Sequence, residues 1–348
     1  MILLRILLLP ISWLYGLLIQ LRNLCYDVGI FRVESISAKV ISVGNITTGG
    51  TGKTPVVEWI VGRLLKRKVR VAVVSRGYGR SSRGTMVVSD GRSIRSTPDR
   101  SGDEAFQIAR KFPEAIVLVD EKRVRGARHA MTQCGAGVIV LDDGFQHRSL
   151  HRNLDIVLVD VDQPLRGTWM LPSGPRRESV RDLKRADIVV LTHRSAEKRG
   201  TMNAELKRIT RAPQFEAVFP PTSLVRLSDG MRQSPDKVRG NSCIAFCGIA
   251  RPEAFGRMLE DLGLTTKEFQ KFPDHHRYTD QDLEFLASII ERMNPNFVLT
   301  TEKDAIHLMD DVAQRFRQRY PLYYIEIETH ISDDSHFLQL LDKALNQN

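Results

Sequence analysis

From residue 38 onward, short apolar runs alternate with amphipathic stretches. Lys39–Val43, Arg70–Val74, Ala115–Val119, Val138–Leu141, Asp155–Val161 and Asp187–Leu191 are rich in Val, Ile and Leu. Strands of this kind, without polar alternation, are covered on both faces, as in a parallel sheet. Helical spacing falls between them, at about Pro55–Lys66, Glu104–Lys111 and Arg123–Met131. The pattern predicts a doubly wound, mainly parallel α/β core. It breaks over Arg211–Asn241, where Pro213, Pro220, Pro221 and Pro235 flank two short β-prone runs, Phe215–Phe219 and Ser223–Leu227. Beyond it, a smaller α/β unit is expected. Its strands are Cys243–Cys247, Asn296–Thr300 and Leu322–Ile327, and its helices lie near Glu253–Leu262, Asp280–Met293 and Ser335–Leu345.

The first 21 residues follow another pattern. They are nearly all apolar, with Arg5 the single charge. At 100° per residue, Arg5, Ser12, Gly16, Gln20 and Asn23 fall within roughly 80° of one another, a narrow polar stripe on an apolar helix. Such a helix can span a bilayer, lie in its interface or pack on its own domain. Trp13 and Tyr15 are residue types that favour the headgroup level, and membrane association is the expectation. The organisation read from the chain is an N-terminal membrane-associated helix over 1–30, a first domain over 31–212, a β-linker over 213–240 and a second α/β domain over 241–348.

Composition narrows the partners. The net charge of +10 favours anionic ones. With no nucleic-acid-binding module and 7% aromatics, nucleic acid is not expected. Cys25, Cys134, Cys243 and Cys247 form no CxxC pair, which fits free thiols in a reducing compartment.

The chemistry begins at Thr47-Thr48-Gly49-Gly50-Thr51-Gly52-Lys53-Thr54, after a predicted strand and before a predicted helix. Glycines let amides converge on phosphate oxygens, Lys53 adds a point charge, and the Thr54 hydroxyl suits Mg²⁺. This makes 31–212 a P-loop domain expected to bind a nucleoside triphosphate with Mg²⁺. Asp142 and Asp143 close a neighbouring apolar run, so either one can serve a metal at the same crevice. Two segments offer a proton acceptor. In Ser101-Gly102-Asp103-Glu104, Asp103 is either a helix cap or a catalytic carboxylate. In Phe272–Tyr278, His275 and His276 are flanked by Asp274 and Arg277. Arg80, Arg123, Arg176 and Arg177 are candidate phosphate contacts. A membrane-associated P-loop NTPase switch is the alternative class. The lysine that partitioning ATPases carry before the double glycine is Thr48 here, and Thr301-Glu302-Lys303-Asp304 lacks the spacing that selects guanine.

Several of these stretches, together with Pro10–Gly16, Arg76–Arg80, Leu141–Arg148, Leu171–Glu178, Phe246–Ala250 and Thr301–Asp304, resemble the tetraacyldisaccharide 4′-kinase family of lipid A biosynthesis. The resemblance implies an ATP- and Mg²⁺-dependent kinase at the cytoplasmic face of the bacterial inner membrane, near anionic lipids. Its acceptor would be the 4′-hydroxyl of a tetraacylated glucosamine disaccharide 1-phosphate. It also implies two α/β domains with the site in the cleft between them. By motif, Asp103 and His275 look like the catalytic pair, with Lys53 and Thr54 on phosphate and Mg²⁺. Glu104, Asp142 and Asp143 would form the metal and catalytic shell. Arg80, Arg123, Gln146, His147 and Arg177 would contact substrate or phosphate. The motif leaves the choice between Arg176 and Arg177 open.

Overall fold

The computed structural model describes residues 2–165, 167–192, 196–309 and 313–346. Along the first half run α1 (Ile2–Leu7), α2 (Leu9–Asp27), β1 (Lys39–Asn45), α3 (Lys53–Lys66), β2 (Val71–Ser75), β3 (Met86–Asp90), α4 (Pro98–Ser101) and α5 (Asp103–Lys111). Then come β4 (Ile116–Val119), α6 (Arg123–Cys134), β5 (Val138–Asp142), β6 (Leu154–Asp160), β7 (Ile188–Thr192), α7 (Ala196–Lys207) and β8 (Gln214–Val218). The second half holds β9 (Pro221–Arg226), β10 (Arg232–Gln233), β11 (Ser242–Cys247), α8 (Pro252–Asp261), β12 (Thr265–Lys271), α9 (Asp280–Met293) and β13 (Phe297–Thr301). It closes with α10 (Glu302–Ala305), α11 (Gln314–Arg319), β14 (Leu322–Ile327), β15 (His330–Ile331) and α12 (Asp334–Asn346).

Two sheets result. The larger has the order β15-β8-β7-β6-β1-β5-β2-β4-β3, parallel except at its two ends. The chain leaves β1 toward β2 on one side and later fills β6, β7 and β8 on the other, so β1 stands at a topological switch point, where open α/β sheets bind ligands. The register pairs Val43 with Asp142, which sets the acidic end of β5 beside the turn after β1. Val56, Val57, Ile60, Val61 and Leu64 of α3 are fully buried against this sheet. The smaller sheet, β10-β9-β14-β13-β11-β12, has α9 and α8 packed on it in separate apolar clusters.

The structure refines three sequence expectations. The β-linker expected over 213–240 is woven into both sheets. Its β8 extends the large sheet and its β9 joins the small one. The chain returns alongside, from β14 into β15, and Glu328 N–H donates to Pro220 O at 3.0 Å between the two crossings. A two-stranded ribbon therefore joins the sheets. Nor does the chain stay with the small sheet to its end. β15 pairs with β8, and Phe337, Leu341 and Ala344 of α12 are buried in the core of the large sheet. Finally, among the described residues no helix is long and apolar enough to cross a membrane, so a spanning N-terminal helix is not supported. The helix is interrupted at Leu8, and the stripe divides, with Arg5 and Gln20 exposed and the rest facing the protein. Ser12, Gly16 and Asn23 are buried there, and the Ser12 hydroxyl accepts from Ser173 N–H at 2.9 Å. Arg22 and Asn23 reach the fully buried carboxylate of Glu178.

Candidate active site

The loop after β1 is folded back by its own side chains. Asn45 Nδ2–H donates to Thr51 Oγ1 at 2.9 Å, both buried. Gly52 has φ +82°, and a Cβ there would lie 2.7 Å from the Phe219 ring, so glycine is required. Thr47 forms a bridge with Arg176, and the Thr48 N–H and hydroxyl both go to Pro175 O, at 2.7 and 3.2 Å. These two expected nucleotide-binding residues thus fasten the loop to the 174–178 segment. Among the described residues no backbone acceptor takes the amides of Gly49, Gly50, Gly52, Lys53 and Thr54. With the N-terminus of α3 behind them, they form an anion cradle.

Asp142 is buried at the end of β5, and its Oδ1 has no hydrogen-bond partner. Burial, then the Glu104 and Asp143 carboxylates, push its carboxyl up to about 7, against the pull of Lys53 and Arg123. Asp143, at φ +54°, behaves oppositely. Burial raises it, but Lys53 Nζ at 3.5 Å and Arg177 Nη1 at 2.6 Å outweigh that and bring it to about 2. Thr54, Glu104 and Asp142 line the same cavity as the phosphate loop. An unpartnered buried carboxylate, crowded by other carboxylates and close to a hydroxyl, fits Mg²⁺. Among the described residues no group of three or more His, Cys, Asp or Glu could hold a metal alone. Such an ion would complete its shell with phosphate oxygens and water, as Mg²⁺ commonly does.

Asp103 is the first residue of α5, not its cap. The cap position is Gly102, at φ +84°, where a Cβ would press to 2.8 Å on Tyr78 O. The carboxylate instead crosses to the smaller sheet's side. Its Oδ2 is 2.8 Å from His275 Nδ1, and its Oδ1 is 2.9 Å from His307 Nε2. Burial pushes this carboxyl up, but the two imidazoles prevail and hold it far below the usual carboxylate range. The bond to Asp103 in turn raises His275, against its burial and the Lys303 charge. His275 lines the cavity and Asp103 stands directly behind it. His276, the other member of the pair, turns away to Asp282 at 3.0 Å.

The arginines separate. Arg177 lines the cavity on Asp143, whereas Arg176 is not on the wall. Arg80 and Arg123 do not line it either. Arg80 donates to Val119 O and Gly84 O, and the fully buried Arg123 donates to Asp120 O and Asp142 O. Arg123 braces the end of β5 that presents Asp142, and Arg80 braces the end of β4, so the two arginines expected as phosphate contacts stand off the cavity wall. Gln146 lines the cavity with its amide on Asn45 O, and His147 lines it with burial lowering its pKa to about 4. Arg76, from the basic loop Arg76–Arg80, is on the wall, whereas sequence reasoning missed Gln107, Arg251, Glu302 and Lys303 there and His307 behind it. Glu302 and Lys303 lie in the Thr301–Asp304 motif, which does not by itself assign them chemistry. Arg251 and His307 carried no local pattern.

The cavity holds about 1670 Å³. Ordinary single-ligand clefts span roughly 300–1,000 Å³. It runs from Tyr15, Ile19 and Arg22 on α2, past the phosphate loop, to α8 and the ribbon residues Val218, Phe219, Ile325 and Ile327.

Known proteins resemble this chain in sequence and fold. A solved structure described as the "apo" form of LpxK from Aquifex aeolicus in complex with ATP is 32% identical, with a TM-score of 0.79, covering 98% of this chain and 99% of that one. A tetraacyldisaccharide 4′-kinase from Syntrophus aciditrophicus is 39% identical over 342 residues, 95% of this chain and 90% of that protein. Another from Chlorobaculum tepidum is 38% identical over 344 residues, 97% of each. The family model for tetraacyldisaccharide-1-P 4′-kinase (LpxK) matches residues 4–346, and with relatives this similar along nearly its whole length the chain belongs to that family.

Proposed function

We propose that this chain transfers the γ-phosphoryl group of ATP to the 4′-hydroxyl of a tetraacylated glucosamine disaccharide 1-phosphate, the activity of its family in lipid A biosynthesis. One observation carries the reading. The phosphate loop of the large sheet and His275, with Asp103 behind it, face one cavity large enough for two substrates. The amides of Gly49, Gly50, Gly52, Lys53 and Thr54, with the Lys53 ammonium, hold the triphosphate, and Arg177 supplies a second cation beside Asp143. Asp142, Glu104 and Thr54 hold Mg²⁺, which when bound neutralises charge on the phosphate oxygens. The Asp103–His275 pair takes the proton of the attacking hydroxyl. Asp103 is ionised throughout the physiological range, and His275 is the member that meets the cavity. His147, kept neutral by burial, and Gln146 give hydrogen bonds rather than charge to the acceptor.

The acceptor's acyl chains favour a position at the cytoplasmic face of the bacterial inner membrane. The cavity reaches α2, whose outward face is apolar: Trp13 is 71% exposed and Leu17 63%. We place this face in the bilayer interface, among anionic headgroups that the net charge of +10 would attract.

Transfer of labelled γ-phosphate to purified disaccharide 1-phosphate, with the product position mapped, tests the reaction. Lys53→Ala is expected to lower the rate by about 10²–10³ or more while the fold is kept. Wild-type turnover in that variant, or phosphate at another hydroxyl, would refute the assignment.

A further inference from the structure

Asp103 is held by two imidazoles, and the catalytic reading accounts for one of them. His307 sits in the tight turn after α10, with its side chain 9% exposed and off the cavity wall. Its Nε2 lies 2.9 Å from Asp103 Oδ1, the oxygen His275 does not use. It is a close polar contact between the imidazole and the carboxylate.

The same short segment also fixes His275. Thr301 caps α10 and donates to Asp304 Oδ2 at 2.5 Å. Asp304 Oδ1 accepts from Gly248 N–H at 2.9 Å and Tyr278 OH at 3.0 Å. Gly248 O in turn accepts the N–H of His275 at 3.0 Å, which pins that residue at its left-handed φ of +62°. Residues 301–307 therefore carry one imidazole, His307, and hold the other, His275, through Gly248 and through Lys303 Nζ, 3.2 Å from His275 Nε2. An aspartate's terminal torsion is broad and roughly two-fold, so one contact leaves its plane free to rock. A contact on each oxygen fixes the plane. A carboxylate offers about four acceptor directions, so two contacts still leave room for a proton.

We propose that His307 is a positioning residue for Asp103, holding Oδ1 so that the carboxylate and His275 keep one alignment when the two sheets dock. This rests on the reading that Asp103 and His275 serve the transfer. His307 does not line the substrate cavity, so its loss falls on turnover and not on substrate binding. An error of about 1 Å in such an alignment can cost on the order of 10²-fold in rate.

The test compares His307→Leu, His307→Gln and Asp103→Asn in the full-length enzyme, with ATP and the lipid disaccharide, and with melting curves on each. The expected result for H307L is a kcat about 10- to 100-fold lower, with both KM values within about twofold. H307Q, which restores a donor of similar reach, recovers most of that loss. D103N loses turnover outright. A wild-type kcat in H307L overturns the proposal. So does a loss carried by KM, or an H307Q no better than H307L. If D103N keeps its rate, the reading of the catalytic pair fails instead. If D103N is dead and H307L is normal, the role of His307 alone falls.

Discussion

Lys111 Nζ stands 2.7 Å from Glu58 and 3.3 Å from Glu302, one cation between two carboxylates that are mostly out of solvent. Burial depresses the lysine, but the two acids outweigh it and raise its pKa. One positive charge cannot neutralise both acids. Burial, then repulsion from Glu58, push Glu302 up to about 7 from its ordinary 4.5. Between those values the folded chain holds a proton that the unfolded chain has released. This group therefore makes stability fall as pH rises across that window, and its effect is flat above it. Glu302→Gln removes the titration while keeping an acceptor for Lys111. Melting midpoints from pH 4.5 to 8.5 should show the variant gaining on wild type as pH rises to about 7 and holding that gain beyond. A difference between the two that does not change with pH would refute the assignment. Nothing in the sequence marks this trio, because its members lie on three elements far apart in the chain. Lys53, Asp142 and His275, which line the cavity, were readable as candidates because motif chemistry is local. Arg80 and Arg123 stand off the wall, because a motif does not say which carbonyls a guanidinium will find.

The continuous Val/Ile/Leu strands β1, β2 and β4 to β7 were legible from their runs, since burial on both faces removes polar alternation. β12 was not, because Thr265–Lys271 is a half-exposed edge strand with a polar sequence. α2 was legible in character but not in orientation. Ser12, Arg22 and Asn23 point inward to Ser173, Glu178 and Asp182, leaving Ile11, Leu14, Leu17, Leu18 and Leu21 exposed. Burying a leucine side chain stabilises by about 1.5–3 kcal/mol, so a handful entering the acyl boundary suffices for attachment. Leu17→Glu with Leu18→Glu faces no protein core, so the fold and ATP affinity should hold. Co-sedimentation with vesicles of mixed neutral and anionic lipid should drop at least tenfold. Vesicle binding equal to wild type would mean that this face does not meet the bilayer.

At the scale of the molecule, the two sheets are joined by one ribbon, and the chain crosses it twice. The second crossing was illegible. Helical periodicity in Ser335–Leu345 gives an apolar face but does not say which sheet it covers, and α12 covers the large one. The site therefore depends on docking contacts made beyond the ribbon. Asp103 meets His275 and His307, Lys111 meets Glu302, and Arg251 Nη1 reaches Asp160 Oδ2 at 2.5 Å. Asp160 ends β6 beside the phosphate loop and is 3% exposed, while Arg251 opens α8, adjacent to Ala250, which faces Gly50. Removing the guanidinium withdraws a cation from a buried carboxylate and releases the start of α8 from the loop. If only part of the population is docked, apparent affinity falls by that fraction. Arg251→Ala should lower kcat/KM for ATP by about 10- to 100-fold, or about 1.4–2.7 kcal/mol. Arg251→Lys should recover part of it, since the charge remains and the planar fork is lost. Calorimetric titration of ATP with Mg²⁺ supplies the check. Unchanged affinity in R251A would mean that the nucleotide is held by the large sheet alone, with the docking contacts serving only the proton-accepting pair.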